Sequence, residues 1–101
     1  MSMDRLTNHK RRFENFVDPA FHAYDMSNEM ILRGTGSEQE VASQRAHAED
    51  LAGKAGAELD IIRDIDPDTA SKLAEDWRAY GVELQVDAGL IVAACGEAPA
   101  Y

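Results

Sequence analysis

Apolar residues recur along this chain mostly at helical spacing, and short polar or glycine-bearing breaks divide them into four segments. The first runs from about Met3 to Phe16. Leu6, Phe13, Phe16 and Val17 mark its inner stripe together with His9, while Lys10, Arg11, Arg12 and Glu14 spread towards solvent. At Asp18-Pro19 the chain reads as restarting, because aspartate caps free helix amides and proline suits the first helical position. The second helix is expected from Pro19 to about Arg33, with Phe21, Tyr24, Asn28, Ile31 and Leu32 on one face and Gly34 with Gly36 as its stop. Phe13, Phe16, Phe21 and Tyr24 then gather at the corner between the two helices.

Ser37 followed by Glu40 is a capping box, in which each side chain satisfies a backbone amide of the other's residue. It opens a long third helix to about Asp64, with Val41, Ala48, Ala52, Ala55, Leu59 and Ile62 on one stripe. The small alanines midway imply close approach of another helix. Asp66-Pro67-Asp68 repeats the cap-and-proline signal and predicts a fourth helix from Pro67 to Cys95, stopped by Gly96 and Pro99. Its inner face is Ala70, Leu73, Ala74, Trp77, Gly81, Leu84, Ala88, Ile91 and Cys95, and Trp77 reads as a core residue.

The expected fold is all-α: a single domain over residues 1–101, built as a small antiparallel helical bundle on a long helical hairpin. The hairpin arms are residues 38–64 and 67–95, each roughly 40 Å long, with two shorter N-terminal helices covering them. Val82-Glu83-Leu84-Gln85-Val86 alternates like a strand, so a C-terminal β-hairpin over residues 82–95 is the alternative.

Charge changes this picture more than composition does. The net charge is −9, yet residues 1–33 hold five acids and five bases, so the whole excess falls on residues 34–101. Such a field repels nucleic acid and anionic membranes and favours a basic partner. The one basic cluster, His9-Lys10-Arg11-Arg12, reads as a solvated helix face. No stretch approaches the roughly 20 apolar residues of a membrane span, and the N-terminal residues lack an apolar core behind their bases, so a cytoplasmic protein is expected. Cys95, the single cysteine, has no partner for a disulfide and sits among apolar neighbours where a thiolate is disfavoured.

Candidate chemistry is sparse. Gly34-Thr35-Gly36-Ser37 has the glycines of a phosphate loop but no lysine and no preceding strand, so it reads as a helix stop followed by a cap. Asp18 with His22, and His47 with Asp50, have the spacing of metal-ligand pairs, but the Glu-x-x-His pattern of di-iron bundles is absent. No nucleophile turn occurs. The sequence therefore assigns no catalytic residue, cofactor or metal.

What remains is the acidic surface. Asp60, Asp64, Asp66, Asp68, Glu75, Asp76, Glu83 and Asp87 are the expected partner-binding residues, and the like charge around Asp60 to Asp68 is crowded enough to cost some stability. The leading expectation is a non-enzymatic inhibitor or regulator that occupies the basic surface of a partner protein, a nucleic-acid-binding complex being one candidate, without contacting nucleic acid itself. Size and charge are those of the anti-CRISPR and anti-restriction class, a likeness that no motif carries. Two other readings are a homodimeric structural adaptor, joined through apolar surface near Leu84 to Cys95, and a metal-dependent helical-bundle enzyme built on His22, His47 and carboxylates.

Overall fold

The computed structural model describes residues 2–97, with the side chains of residues 5–97. It is all-α, with helices α1 (Ser2–Arg33), α2 (Glu38–Ile65), α3 (Pro67–Glu83) and α4 (Ala88–Cys95), and no strand among the described residues. Pro99, read as a stop signal, lies outside them.

The expected break at Asp18-Pro19 does not occur: α1 is one helix of 32 residues with Pro19 inside it. An interior proline removes a backbone hydrogen bond and costs about 3 kcal/mol. Against that stand Phe13, Val17 and Phe21, all at 0% exposure, and burying each such side chain is worth about 1.5–3 kcal/mol. A break would uncouple the two halves of this stripe, so the continuous helix wins. Pro19 and Asn15, whose carbonyl loses its partner, both lie on the exposed side, where water can replace the missing bond.

α2 begins at the expected capping box: the Glu40 amide donates to Ser37 Oγ at 3.1 Å, and the Ser37 amide donates to Glu40 Oε1 at 3.3 Å. Its buried residues Ala48, Ala52, Ala55, Leu59 and Ile62 alternate in steps of four and three, the spacing of a helix–helix seam. α1 and α2 form the long antiparallel hairpin, turning at Gly34–Ser37. His9 meets Glu58 towards its base, and Tyr24 meets Arg45 nearer the turn. The arms expected at 38–64 and 67–95 are thus replaced by 2–33 and 38–65, and the longest dimension of the molecule, 49 Å, matches the roughly 48 Å rise of α1.

The fourth expected helix is divided. After Glu83 the Leu84 amide still reaches the Tyr80 carbonyl, but Gln85 turns left-handed at φ 59°. The Val86 amide then closes onto the Gly81 carbonyl at 2.9 Å, and the Gln85 amide onto Val82 at 3.0 Å. Gly34 ends α1 with the same pair of bonds, Thr35 to Met30 and Gly34 to Ile31. At the second site a glutamine takes the left-handed position because Val86, 7% exposed, is anchored in the core beyond it. Asp87 restarts the chain by accepting the Gly89 amide at 3.0 Å. The alternation of residues 82–86 is that of a helix end and a turn, and the β-hairpin over 82–95 is not formed.

α3 and α4 make a second, shorter hairpin laid over one face of the first. Trp77 stands edge-on to Phe13 at 6.4 Å and Tyr80 at 5.6 Å and tilted against Phe21 at 6.3 Å, so the aromatics meet across α1 and α3 rather than at a corner. α4 runs along α2, where a Cβ on Gly56 would fall on the Ala93 carbonyl oxygen. Arg78 Nη2 donates to the carbonyls of Cys95, Gly96 and Glu97 at 3.2–3.3 Å and holds down the end of α4.

Two substitutions on the same helix separate packing from propensity. Gly56→Ala should lower stability by about 1–3 kcal/mol because α4 must back away, whereas Gly53→Ala, with open space around its Cβ, should gain up to about 1 kcal/mol. Urea midpoints read both. In the same assay Pro19→Ala should raise stability by up to about 3 kcal/mol. A loss on removing Pro19 would mean that it starts a separate helix.

Candidate binding surfaces

The eight carboxylates singled out in the sequence fall into three groups. Asp66 and Asp87 are helix caps: Asp66 accepts the Thr69 hydroxyl at 2.8 Å and the Thr69 amide at 3.4 Å, and Asp87 caps α4. The Thr69 hydroxyl, followed by the Thr69 amide, holds the Asp66 carboxyl below its ordinary value of 3.8. Asp60 is exposed but pairs with Arg63 at 2.8 Å, one turn along α2. The other five, Asp64, Asp68, Glu75, Asp76 and Glu83, are exposed and have no ion pair among the described residues. Four of them lie along the outer side of α3, and Asp64 ends α2 beside its start. Lys72 is the one base on that outer side of α3.

The basic cluster of α1 is partly turned to the protein's own acids. His9 Nδ1 lies 2.6 Å from Glu58 Oε2, with both side chains largely buried, and Arg12 reaches the other oxygen at 3.9 Å. Lys10 and Arg11 have no ion pair among the described residues.

The two histidine pairs behave differently. His22 Nε2 lies 3.1 Å from Asp18 and 3.2 Å from the Tyr80 hydroxyl, on a half-exposed patch between α1 and α3. His47 is exposed on α2, and Asp50 pairs with Lys54 at 3.2 Å instead. Among the described residues no three histidine, cysteine or carboxylate side chains converge as a metal would require. Cys95 is buried, and burial pushes its thiol up to about 11, with Arg78 opposing the rise. Leu90, Ile91, Ala94 and Cys95 face the protein's own core, which leaves Val92, at 43% exposure, as the large apolar residue of α4 on the surface. Among the described residues no helix is long and apolar enough to cross a membrane.

The second surface is one that the sequence pattern hides. The α1–α2 seam contains a polar knot: the buried Ser27 hydroxyl donates to the Tyr24 carbonyl at 2.6 Å and accepts from Arg45 Nε at 3.1 Å. Arg45 Nη2 reaches Asn28 at 3.3 Å, and its guanidinium lies 5.0 Å from the Tyr24 ring centre. The α3–α4 layer stops at this level, where Leu90 and Asp87 line a cleft with Tyr24 and Arg45. Beyond it, Met30 and Ile31 of α1 with Val41, Ala42 and Ala46 of α2 line an open groove of about 630 Å³. Ile31 and Leu32, expected on an inner face, are 54% and 82% exposed because no third helix reaches them. The signal available in the sequence was Glu38 and Glu49, which flank that apolar stretch of α2 and line the groove.

Comparison with protein-family models, with curated proteins and with solved structures finds no match.

The division of the carboxylates has a direct test. Asp66→Ala should lower the urea midpoint at neutral pH, while Asp64→Ala should leave it unchanged. Because the folded-state pKa of Asp66 is depressed, its contribution is present above the ordinary value of 3.8 and is lost as the pH falls through the lower folded value. The difference between wild type and Asp66→Ala should therefore narrow in acid.

Proposed function

We propose that this protein is a non-enzymatic binding module that lays an acidic helical face on the basic surface of a partner protein. The observation that carries this reading is the set of five exposed carboxylates, Asp64, Asp68, Glu75, Asp76 and Glu83, that neither cap a helix nor pair with a cation among the described residues. They stand on rigid helices, so their spacing is fixed before binding and little conformational entropy is lost on contact. From Asp68 to Glu83 the rise along α3 is about 22 Å, the length of roughly six to seven nucleotides of one strand of duplex DNA. A groove shaped for a phosphate backbone is thus a fitting basic surface, and occupancy of such a groove would inhibit or regulate its owner.

Asp66 and Asp87 are left out of the contact set because replacing them would disturb α3 and α4 rather than binding alone. The test neutralises the other five without changing their shape: Asp64→Asn, Asp68→Asn, Glu75→Gln, Asp76→Asn and Glu83→Gln. Exposed ion pairs at about 0.5 kcal/mol each make the combined loss roughly 2.5 kcal/mol, or about seventyfold in affinity. The tagged protein should recover a basic partner from a lysate of its source at low salt and release it at high salt, and the five-fold variant should fail to recover it while keeping wild-type helicity. Equal recovery by the variant at both salt concentrations would refute the acidic face as the contact.

A further inference from the structure

The groove at the turn end of the α1–α2 hairpin lies apart from the acidic side of α3 and has its own chemistry. Its floor is apolar, from Met30, Ile31, Val41 and Ala42. Glu38 and Glu49 bound it along α2, and both are exposed and without an ion pair among the described residues. They are eleven positions apart, three turns of helix, so they stand on one face of α2 about 16 Å apart. Glu40 is occupied by the capping box and Glu29 by Arg33 at 2.9 Å. The one cation lining the groove, Arg45, is turned inward to Ser27, Asn28 and Tyr24 and leaves the two acids unopposed.

We propose that this groove docks an amphipathic basic helix of a partner protein. The apolar floor takes side chains from one face of that helix, and Glu38 and Glu49 each take a lysine or arginine from its flanks. The register follows from α2 itself: the partner carries bases three turns apart with apolar residues one and two turns in between, the helix-in-groove mode of recognition. Charge weighs against a second copy of this chain, which carries a net −9 and whose one basic cluster, on α1, already has His9 and Arg12 turned to its own Glu58. A small apolar ligand would fill the floor without using acids so far apart. The proposal shares with the acidic face of α3 only the sign of the partner's charge, and the two can fail separately.

The test uses an alanine-based helical peptide with lysines three turns apart and two leucines between them, and a twin with glutamates in place of the lysines, titrated calorimetrically into the full chain. The lysine peptide should bind saturably and the glutamate peptide should not. Ala42→Arg with Ala46→Arg, both at exposed helical positions, should fill the groove and weaken binding at least tenfold. Glu38→Gln with Glu49→Gln should weaken it about fivefold, and the five neutral substitutions on α3 and the end of α2 should leave it unchanged. Circular dichroism of each variant confirms the fold. The proposal is overturned if the lysine peptide shows no saturable binding, if the arginine variant binds it as wild type does, or if the glutamate peptide binds equally. It is also overturned if the wild-type chain sediments as a dimer that Ala42→Arg with Ala46→Arg makes monomeric, for then a second copy fills the groove.

Discussion

The rest of the structure depends on the meeting of α1's large side chains with the alanines of α2. Ala48, Ala52 and Ala55 are fully buried in one core with Phe13, Val17 and Phe21, and the rings of Phe13 and Phe21 extend on to Trp77 of α3. Large opposite small is what lets two helices approach closely without voids. Because that interface runs unbroken on both sides of residue 19, it overrides a local signal to stop, and the molecule gains a helix long enough to set its length. The flatness follows, with principal dimensions of 49 × 32 × 15 Å: one long hairpin, covered on one face by one short hairpin.

The short hairpin is fitted to the long one at a few close contacts. Gly56 admits the backbone of α4, Gly81 is enclosed by Phe21 and Ile91, and Trp77 joins the aromatic residues of α1 to α3. None of these reaches past the level of Tyr24 and Arg45. The two candidate surfaces are consequences of that limit. The outer side of α3 has no layer over it and carries charge, while the turn end of the long hairpin has no layer over it and carries apolar groove and acid rim together.

Signals whose physics is local were legible in the sequence. The Ser37–Glu40 box, the Asp66-Pro67 start, the Gly34 stop and the Gly96 stop each depend on a few neighbouring atoms, and the structure has all four. Pro19 and Gln85 were misleading for opposite reasons. The proline looks like a boundary but is outweighed by burial on both sides, and the glutamine looks like helix but is forced left-handed by the anchoring of Val86. Asp87, read as an outward-facing acid of a long helix, became a cap once that helix was divided. Residue types at the acidic surface were therefore visible, but their separation into caps, an internal pair and free charges required to know which backbone amides and cations lay nearby. The groove was hidden more completely, since Ile31 and Val41 have the spacing of core residues, and only the reach of α3 and α4 decides that they are not covered.

Arg78 and Cys95 together give the end of the chain's last helix a particular behaviour. A helix of eight residues is too short to persist alone in water, so α4 exists as a docked element, and three carbonyls at its end are gathered by one guanidinium group. Detachment of α4 exposes Leu90, Ile91, Ala94 and Cys95 to water, so it is a costly opening of the native fold. It would unseal the only thiol in the molecule, which burial otherwise keeps protonated and shut away from oxidants and electrophiles at neutral pH. The chain thus carries its own reporter: modification of Cys95 registers the moments at which the end of α4 has parted from the core around Ala74 and Arg78.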